Sequence, residues 1–449
     1  MEEKIYGGTF TIDTKEYSGQ IRFLEEKYLV LELHIPEPII VNNTFNLKNI
    51  VIYGTTVTGA KVSLINCSYR NMHSYVSYGK TIVIFMCQFL IWGQYVEKNL
   101  KALYVTLENA VRWSGLSGIE QSSFVEGYFD VIKYKNEKKI NFNYGDFNIK
   151  LYPSYINKMS GNPIPEKGEI CERLVLKIEG KESGNIFEHF NIVKDFLNII
   201  SFCINDNVNI LQIKCETNDS YQILSSGEKI YHTFDVIGIL KKKSISQQSF
   251  KIDFVTLDEI KEKILPSFLE QYESFKPIIE LYTLLIQNPD IPAYIQFLNI
   301  IQALESFHSR FICDSLKKYK ALIDSQYGET ESDKFYKRFL LPEQQDGNED
   351  FIALTSRINH CFTKLDKSVF DYFKDGYISD KLTDTRHYFT HYSKAKFKKS
   401  FQGENLDKAI TLVCVCLNYL IWQHFGLDRK VFLIEQLNWI NIDDMKKTP

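Results

Sequence analysis

The 449-residue chain contains no Cys-x-x-Cys pair, no Gly-x-Gly-x-x-Gly loop, no His-Glu-x-x-His helix and no zinc-type Cys/His spacing. Those gaps remove the dinucleotide fingerprint, the metalloprotease helix and the structural zinc site from its sequence-readable functions, and neither a metal nor a cofactor is expected. Nine cysteines follow no repeated spacing, and Met1–Phe10 lacks a basic stretch leading into an apolar one. The expectation is a cytoplasmic location with reduced, buried thiols. Long hydrophobic runs are missing too. The longest, Thr81–Gly93 and Ala409–Trp422, read as too short and too interrupted to cross a bilayer, so no membrane association is expected. Neither sign of charge dominates: 53 Lys and Arg face 56 Asp and Glu, a net charge of -3. That excludes a globally basic nucleic-acid coat and leaves room for a local basic patch.

Glycine is scarce in one half only. Seventeen of the 22 glycines precede residue 256 and five follow it. Short apolar runs between glycines read as strands, and a stretch nearly free of glycine reads as helices. A domain boundary is therefore placed at 255/256, giving an α+β protein with a β-rich region over 1–255 and a helical bundle over 256–449. Strand candidates are Gly19–Leu24, Tyr28–His34, Asn49–Tyr53, Lys61–Ile65, Thr81–Phe89, Leu103–Leu107, Lys139–Tyr144, Phe147–Leu151, Leu174–Ile178, Val208–Lys214, Lys229–Asp235 and Phe250–Phe254. Their number and spacing predict a sandwich or barrel. Ile186, Phe187, Phe190, Val193, Phe196, Leu197 and Ile200 recur three or four apart and predict one amphipathic helix near 185–204, packed across a sheet. Later helices are expected over Asp290–Leu316, Asp350–Leu365 and Asp407–Phe425, the last ending at Gly426 as its C′ residue. Tyr327–Asn348 reads as an exposed loop.

Tyr78-Gly79-Lys80-Thr81 has the tail of a phosphate-binding loop, but Ser74 stands where its first glycine is required, so a hairpin turn is the reading. Lys241–Lys243 reads as a solvated turn, and Cys414 and Cys416 as core thiols. The stretch that carries chemistry is Thr383-Asp384-Thr385-Arg386-His387-Tyr388-Phe389-Thr390-His391-Tyr392. It holds an Arg-x4-His pattern, Arg386 to His391, which chance alone would supply about half a time in this composition. Its surroundings add weight. No acidic residue occurs from Thr385 to Gly403, while Arg386, Lys394, Lys396, Lys398 and Lys399 supply five positive charges. Tyr388, Phe389, Tyr392 and Phe397 interleave with them, as where unstacked bases are held beside phosphates. The plainer alternative makes Phe389 and Phe397 core residues and the lysines a solvated face.

Arg386-x4-His391 in a C-terminal helical domain resembles the motif of the HEPN ribonucleases. The helix Phe297–His308, with Ala303-Leu304-Glu305, and the phrase Asp384–Tyr392 are similar to those of the ApeA-type HEPN domain. The β-rich first half with its single amphipathic helix fits that layout. The resemblance implies a bacterial anti-phage, abortive-infection protein. It also implies a homodimer through the C-terminal helical domain, two motifs meeting in one cleft and the apolar helix 407–425 near the interface. Implied roles are catalytic for Arg386 and His391, supporting for His387 and Glu305, and RNA-binding for Tyr392, Lys394, Lys396, Lys398 and Lys399. His387 stands where the family often has Asn or Asp; it orients the site or contacts phosphate. Glu305 pairs with Arg386 or faces solvent.

The chemistry of those residues suits attack by an RNA 2′-hydroxyl on its adjacent phosphate. A histidine titrates in the range needed for general acid or base work, and an arginine presents a fixed fork to phosphoryl oxygens. The expectation is a metal-independent endoribonuclease leaving a 2′,3′-cyclic phosphate and a 5′-hydroxyl. RNA, with tRNA favoured through the resemblance, is the expected partner, and a phage-derived trigger the expected signal for the β-rich region. The rival reading is a non-catalytic scaffold whose β domain recognises a phage component or partner protein. A carbohydrate- or ligand-binding β enzyme is a weaker third, because no carboxylate pair or nucleophile motif supports it.

Overall fold

The computed structural model describes residues 4–12, 14–24, 28–35, 50–75, 80–96, 99–125, 128–134, 139–160, 167–238, 255–327 and 352–447. The chain divides into two compact units, residues 1–197 with 208–244 and residues 198–207 with 245–449.

The first six strands are β1 (Lys4–Ile12), β2 (Lys15–Leu24), β3 (Tyr28–Ile35), β4 (Ile50–Thr56), β5 (Lys61–Tyr75) and β6 (Lys80–Cys87). They pair antiparallel in the order β5-β4-β1-β2-β3-β6, and β6 pairs again with β5. The ring is closed, so this part of the sandwich-or-barrel expectation resolves to a barrel. Alternation explains its core: Leu29, Leu31, Leu33 and Ile35 of β3 point inward with Val62 and Leu64 of β5 and Val83, Phe85 and Cys87 of β6. Phe10 of β1 lies opposite Gly54 of β4, where a Cβ would come within 2.3 Å of its ring. The sequence reading omitted β1 because Gly7-Gly8 interrupts its apolar pattern; pairing on both edges makes it a strand regardless. Tyr75 pairs with Lys80, so Lys80 and Thr81 open a strand, whereas a phosphate-binding loop would feed a helix; Tyr78 and Gly79 lie outside the described residues.

Strand β5 has two successive partners: Val62–Ile65 pairs with β7 (Phe89–Trp92) and Ser68–Tyr75 with β6, with Asn66 at φ +56° between the two stretches. Beyond β7 come β8 (Leu100–Leu107), a short α1 (Val111–Ser114), the hairpin β9 (Ile119–Val125) and β10 (Tyr128–Tyr134), β11 (Ile140–Tyr144), β12 (Phe147–Ser160) and β13 (Lys167–Gly184). Helix α2 (Ile186–Ile204), whose end from Asn198 on belongs to the second unit, is followed by β14 (Ile210–Ile223) and β15 (Lys229–Gly238), which complete the first. From β5 the same sheet continues through β7-β15-β14-β8-β13-β12-β11. Helix α2 follows its predicted stripe: Phe190 stacks on Phe89 with centroids 4.0 Å apart, and Phe196 packs against Phe142 and Tyr144. The candidate strand Phe250–Phe254 lies outside the described residues, as does nearly all of the expected loop Tyr327–Asn348.

The helical unit opens on a capping box. Thr256 N–H donates to Glu259 Oε2 at 2.7 Å, and Thr256 Oγ1 accepts from Glu259 N–H at the head of α3 (Leu257–Ile260). Then follow α4 (Ile264–Glu270), α5 (Tyr272–Gln287), α6 (Ala293–Phe307), α7 (Leu316–Tyr327), α8 (Leu354–Thr363), α9 (Tyr377–His391), α10 (Lys394–Phe397), α11 (Glu404–His424), α12 (Lys430–Ile440) and α13 (Ile442–Lys447). The single helix expected over Asp290–Leu316 is interrupted by a π-turn at His308–Ile312 and extended backbone at Cys313. There His308 Nε2 meets His360 Nδ1 of α8 at 3.0 Å, with both side chains fully buried. Helix α11 starts one turn before Asp407 and ends as expected: Gly426 at φ +80° donates to Gln423 O, and Leu427 N–H reaches Trp422 O. By length and composition α11 is long enough to span a bilayer, unlike the sequence reading of its apolar run, but most of it is buried inside the protein. Its apolar faces, from Leu406 through Trp422, are consumed by the chain's own core.

Candidate active site

Helix α9 carries the Arg-x4-His stretch and begins at Gly376, whose φ of +68° turns the chain into it. Ile378, Leu382 and Thr385 are buried and anchor its first turns, whereas Thr390, His391 and Tyr392 emerge into solvent. Tyr392 adopts φ +50° and its N–H closes on Tyr388 O, ending the helix. The chain then folds back through α10. Phe401 N–H donates to Thr385 Oγ1 at 2.8 Å, and that hydroxyl donates to Lys381 O at 2.6 Å, both residues being buried. This clasp holds the lysine-rich segment alongside α9.

Between the two lies a cavity of about 710 Å³. Arg386 and His387 line it from α9, Lys396, Lys398 and Lys399 from the returning segment, and Glu305 from α6. Lys396 forms an ion pair with Asp384. Lys398 and Lys399 are exposed. The carboxylate of Glu305 faces Arg357 Nε at 4.0 Å, so its ion pair is with Arg357 and not with Arg386. Among the described residues no carboxylate pairs with the Arg386 guanidinium. The His387 imidazole is held below its usual range by burial first, then by Arg386, Lys396 and His391, with Asp384 opposing. At neutral pH it is a neutral imidazole beside a permanent cation.

His391 occupies a different place. It is exposed, lies outside the cavity lining, and faces His387 with ring centroids 6.2 Å apart and planes 25° apart. Residues five apart on an α-helix differ by about 140° around its axis, so one chain does not turn Arg386 and His391 into the same cavity. Lys394 and Tyr392 are also exposed and outside that lining. The aromatics divide: Phe389 packs inward on Tyr294 and Phe297, while Tyr388 contacts Tyr392 and Phe397, which are 61% and 49% exposed. Sequence reasoning missed Lys381, a buried lysine on the cavity wall that donates to Tyr377 OH at 3.1 Å and lies over the Phe401 ring. Tyr377 is its i−4 neighbour on α9, and only the fold-back brings Phe401 beneath it and makes it part of a cavity wall.

The family model described as ApeA N-terminal domain 1 matches residues 5–322. The chain belongs to the ApeA family. A second model, Apea-like HEPN, matches residues 298–431 and takes in the whole Arg386–His391 stretch and every cavity-lining residue named above. The two ApeA matches overlap on α6 and α7, so the family's first segment runs past the last described strand into the helices. No curated protein matches the chain, and no solved structure does.

Proposed function

We propose that this ApeA-family protein is an anti-phage endoribonuclease of the abortive-infection kind, working in the cytoplasm through its HEPN domain. The observation that carries the reading is Arg386: a guanidinium without a carboxylate partner among the described residues, set in a cavity flanked by Lys396, Lys398 and Lys399. Such a cation has its fork free for phosphoryl oxygens, and the lysines supply the field that draws a polyanion in. The 2′-hydroxyl attacks the adjacent phosphorus, its proton passes to an imidazole, and the 5′-oxygen leaves with a proton. The products are a 2′,3′-cyclic phosphate and a 5′-hydroxyl, and DNA is inert because it lacks the nucleophile. Nothing in this sequence of steps requires a metal ion. Tyr392 and Phe397 offer stacking surfaces for unpaired bases, which favours a looped RNA such as tRNA.

Because His391 stands outside the cavity of its own chain, a homodimer through the helical domain completes the cleft in this reading. The β-rich unit then serves as the sensor of a phage component. The same placement of His391 favours the rival, a non-catalytic RNA- or protein-binding scaffold. The deciding experiment incubates total cellular RNA in EDTA with wild type, Arg386→Ala and His391→Ala, all shown folded by circular dichroism, with and without phage-infected lysate. Cleavage by wild type alone, with cyclic-phosphate ends, supports the nuclease. Intact RNA in every lane with lysate present supports the scaffold.

A further inference from the structure

The ribonuclease reading leaves the two proton transfers unassigned, and the cavity distinguishes the two imidazoles available for them. His387, adjacent in sequence to Arg386, lines the same cavity; His391 sits one turn on, outside it and exposed. Their rings face each other across 6.2 Å at a small interplanar angle. A phosphate held by Arg386 in the cavity meets His387 there, while His391 stands on the solvent side, where the second copy of the proposed dimer closes the cleft. Resting on that reading, we propose that His387 is a catalytic residue, the general base for the 2′-hydroxyl, and that His391 is the general acid for the departing 5′-oxygen.

The step balances without a further reactant. The 2′-O–H proton passes to a ring nitrogen of His387 as the 2′-O–P bond forms, and the P–O5′ bond breaks as O5′ takes a proton from His391. Solvent then restores both rings. The charges facing His387 fit its part. Arg386 and His391 on α9 and Lys396 on the returning segment disfavour its protonated form, and Asp384, already engaged by Lys396, opposes them. A base must be unprotonated to act, and these neighbours extend that condition below the usual histidine range.

The test compares wild type, His387→Ala, His387→Gln and His391→Ala on a total bacterial tRNA pool, then on a synthetic RNA carrying a bridging sulfur in place of the 5′-oxygen at the mapped cut. A thiolate leaves without a proton, so that substrate relieves the need for an acid and not for a base. Expected are a fall in kcat of about 10²–10⁴-fold for both His387 variants, with KM little changed, and loss of the acidic limb of the kcat/KM profile. The sulfur substrate should restore His391→Ala by at least about tenfold and leave His387→Ala slow. Wild-type kcat and an intact acidic limb in the His387 variants would overturn the assignment alone, as would sulfur rescue of His387→Ala. RNA left intact by wild type, even with phage-infected lysate, would overturn the ribonuclease reading and this assignment with it.

Discussion

Acid should open the helical unit through the buried pair His308 and His360. Burial holds both imidazoles neutral: His308 is pushed down to about 2, with His360 and Arg357 adding to burial, and His360 to about 3. In the unfolded chain each titrates near its ordinary value of about 6.5. Between those values the unfolded state binds more protons, so the stability these residues contribute is complete above about pH 6.5 and is lost as pH falls toward 3. Each pH unit costs about 1.36 kcal/mol per histidine once the unfolded group is protonated. Going from pH 7 to pH 5 therefore removes about 2 kcal/mol for each ring and about 4 kcal/mol for the pair, against a typical domain stability of about 5–15 kcal/mol. Hydrogen exchange read by mass spectrometry on peptides from α6, the π-turn and α8 is the assay, because it follows this unit separately from the barrel. After correction for intrinsic exchange, protection there should fall over that pH range, and His360→Asn should about halve the fall. Equal protection at pH 5 and pH 7 in the wild type would refute the reasoning, as would undiminished acid sensitivity in His360→Asn.

Thr385→Val should strand the buried Phe401 N–H and cost about 1–3 kcal/mol of stability, while Thr385→Ser restores it; thermal unfolding of the three proteins checks this. Gly54→Ala should push its new methyl into the Phe10 ring and destabilise the barrel by about 1–3 kcal/mol. A lowered midpoint in urea, followed by exchange in β1 and β4 peptides, is the readout. For RNA binding, Lys398→Ala with Lys399→Ala should weaken affinity and reduce the slope of log K against log salt by about 1.4 for a single strand. Fluorescence anisotropy over a salt series measures it, and an unchanged slope would place those lysines away from the phosphates.

Local patterns were legible from the residues alone. The stripe from Ile186 to Ile200 needed only its own spacing to become α2, and Gly426 ended α11 because a left-handed residue at that point costs glycine nothing. Most predicted strands appeared, several longer than their apolar cores, since pairing partners extend a strand through residues that would not form one alone. The cation cluster around Arg386 was equally visible, because charge sums along a segment whatever its fold.

Contacts between residues distant in sequence were decided elsewhere. The barrel closes because β6 pairs with both β3 and β5, a choice made by fitting Phe10, Phe85 and their neighbours into one interior. The π-turn begins at His308, whose ring is buried against His360, 52 residues away, and no periodicity announces it. Glu305 was claimed by Arg357 once α8 packed beside α6. Helix geometry then set Arg386 into the cavity and left His391 outside, so residues five apart in one motif came to occupy different surroundings. Sequence records which groups are present along the chain. Packing and desolvation, which act between segments, determine which of those groups meet.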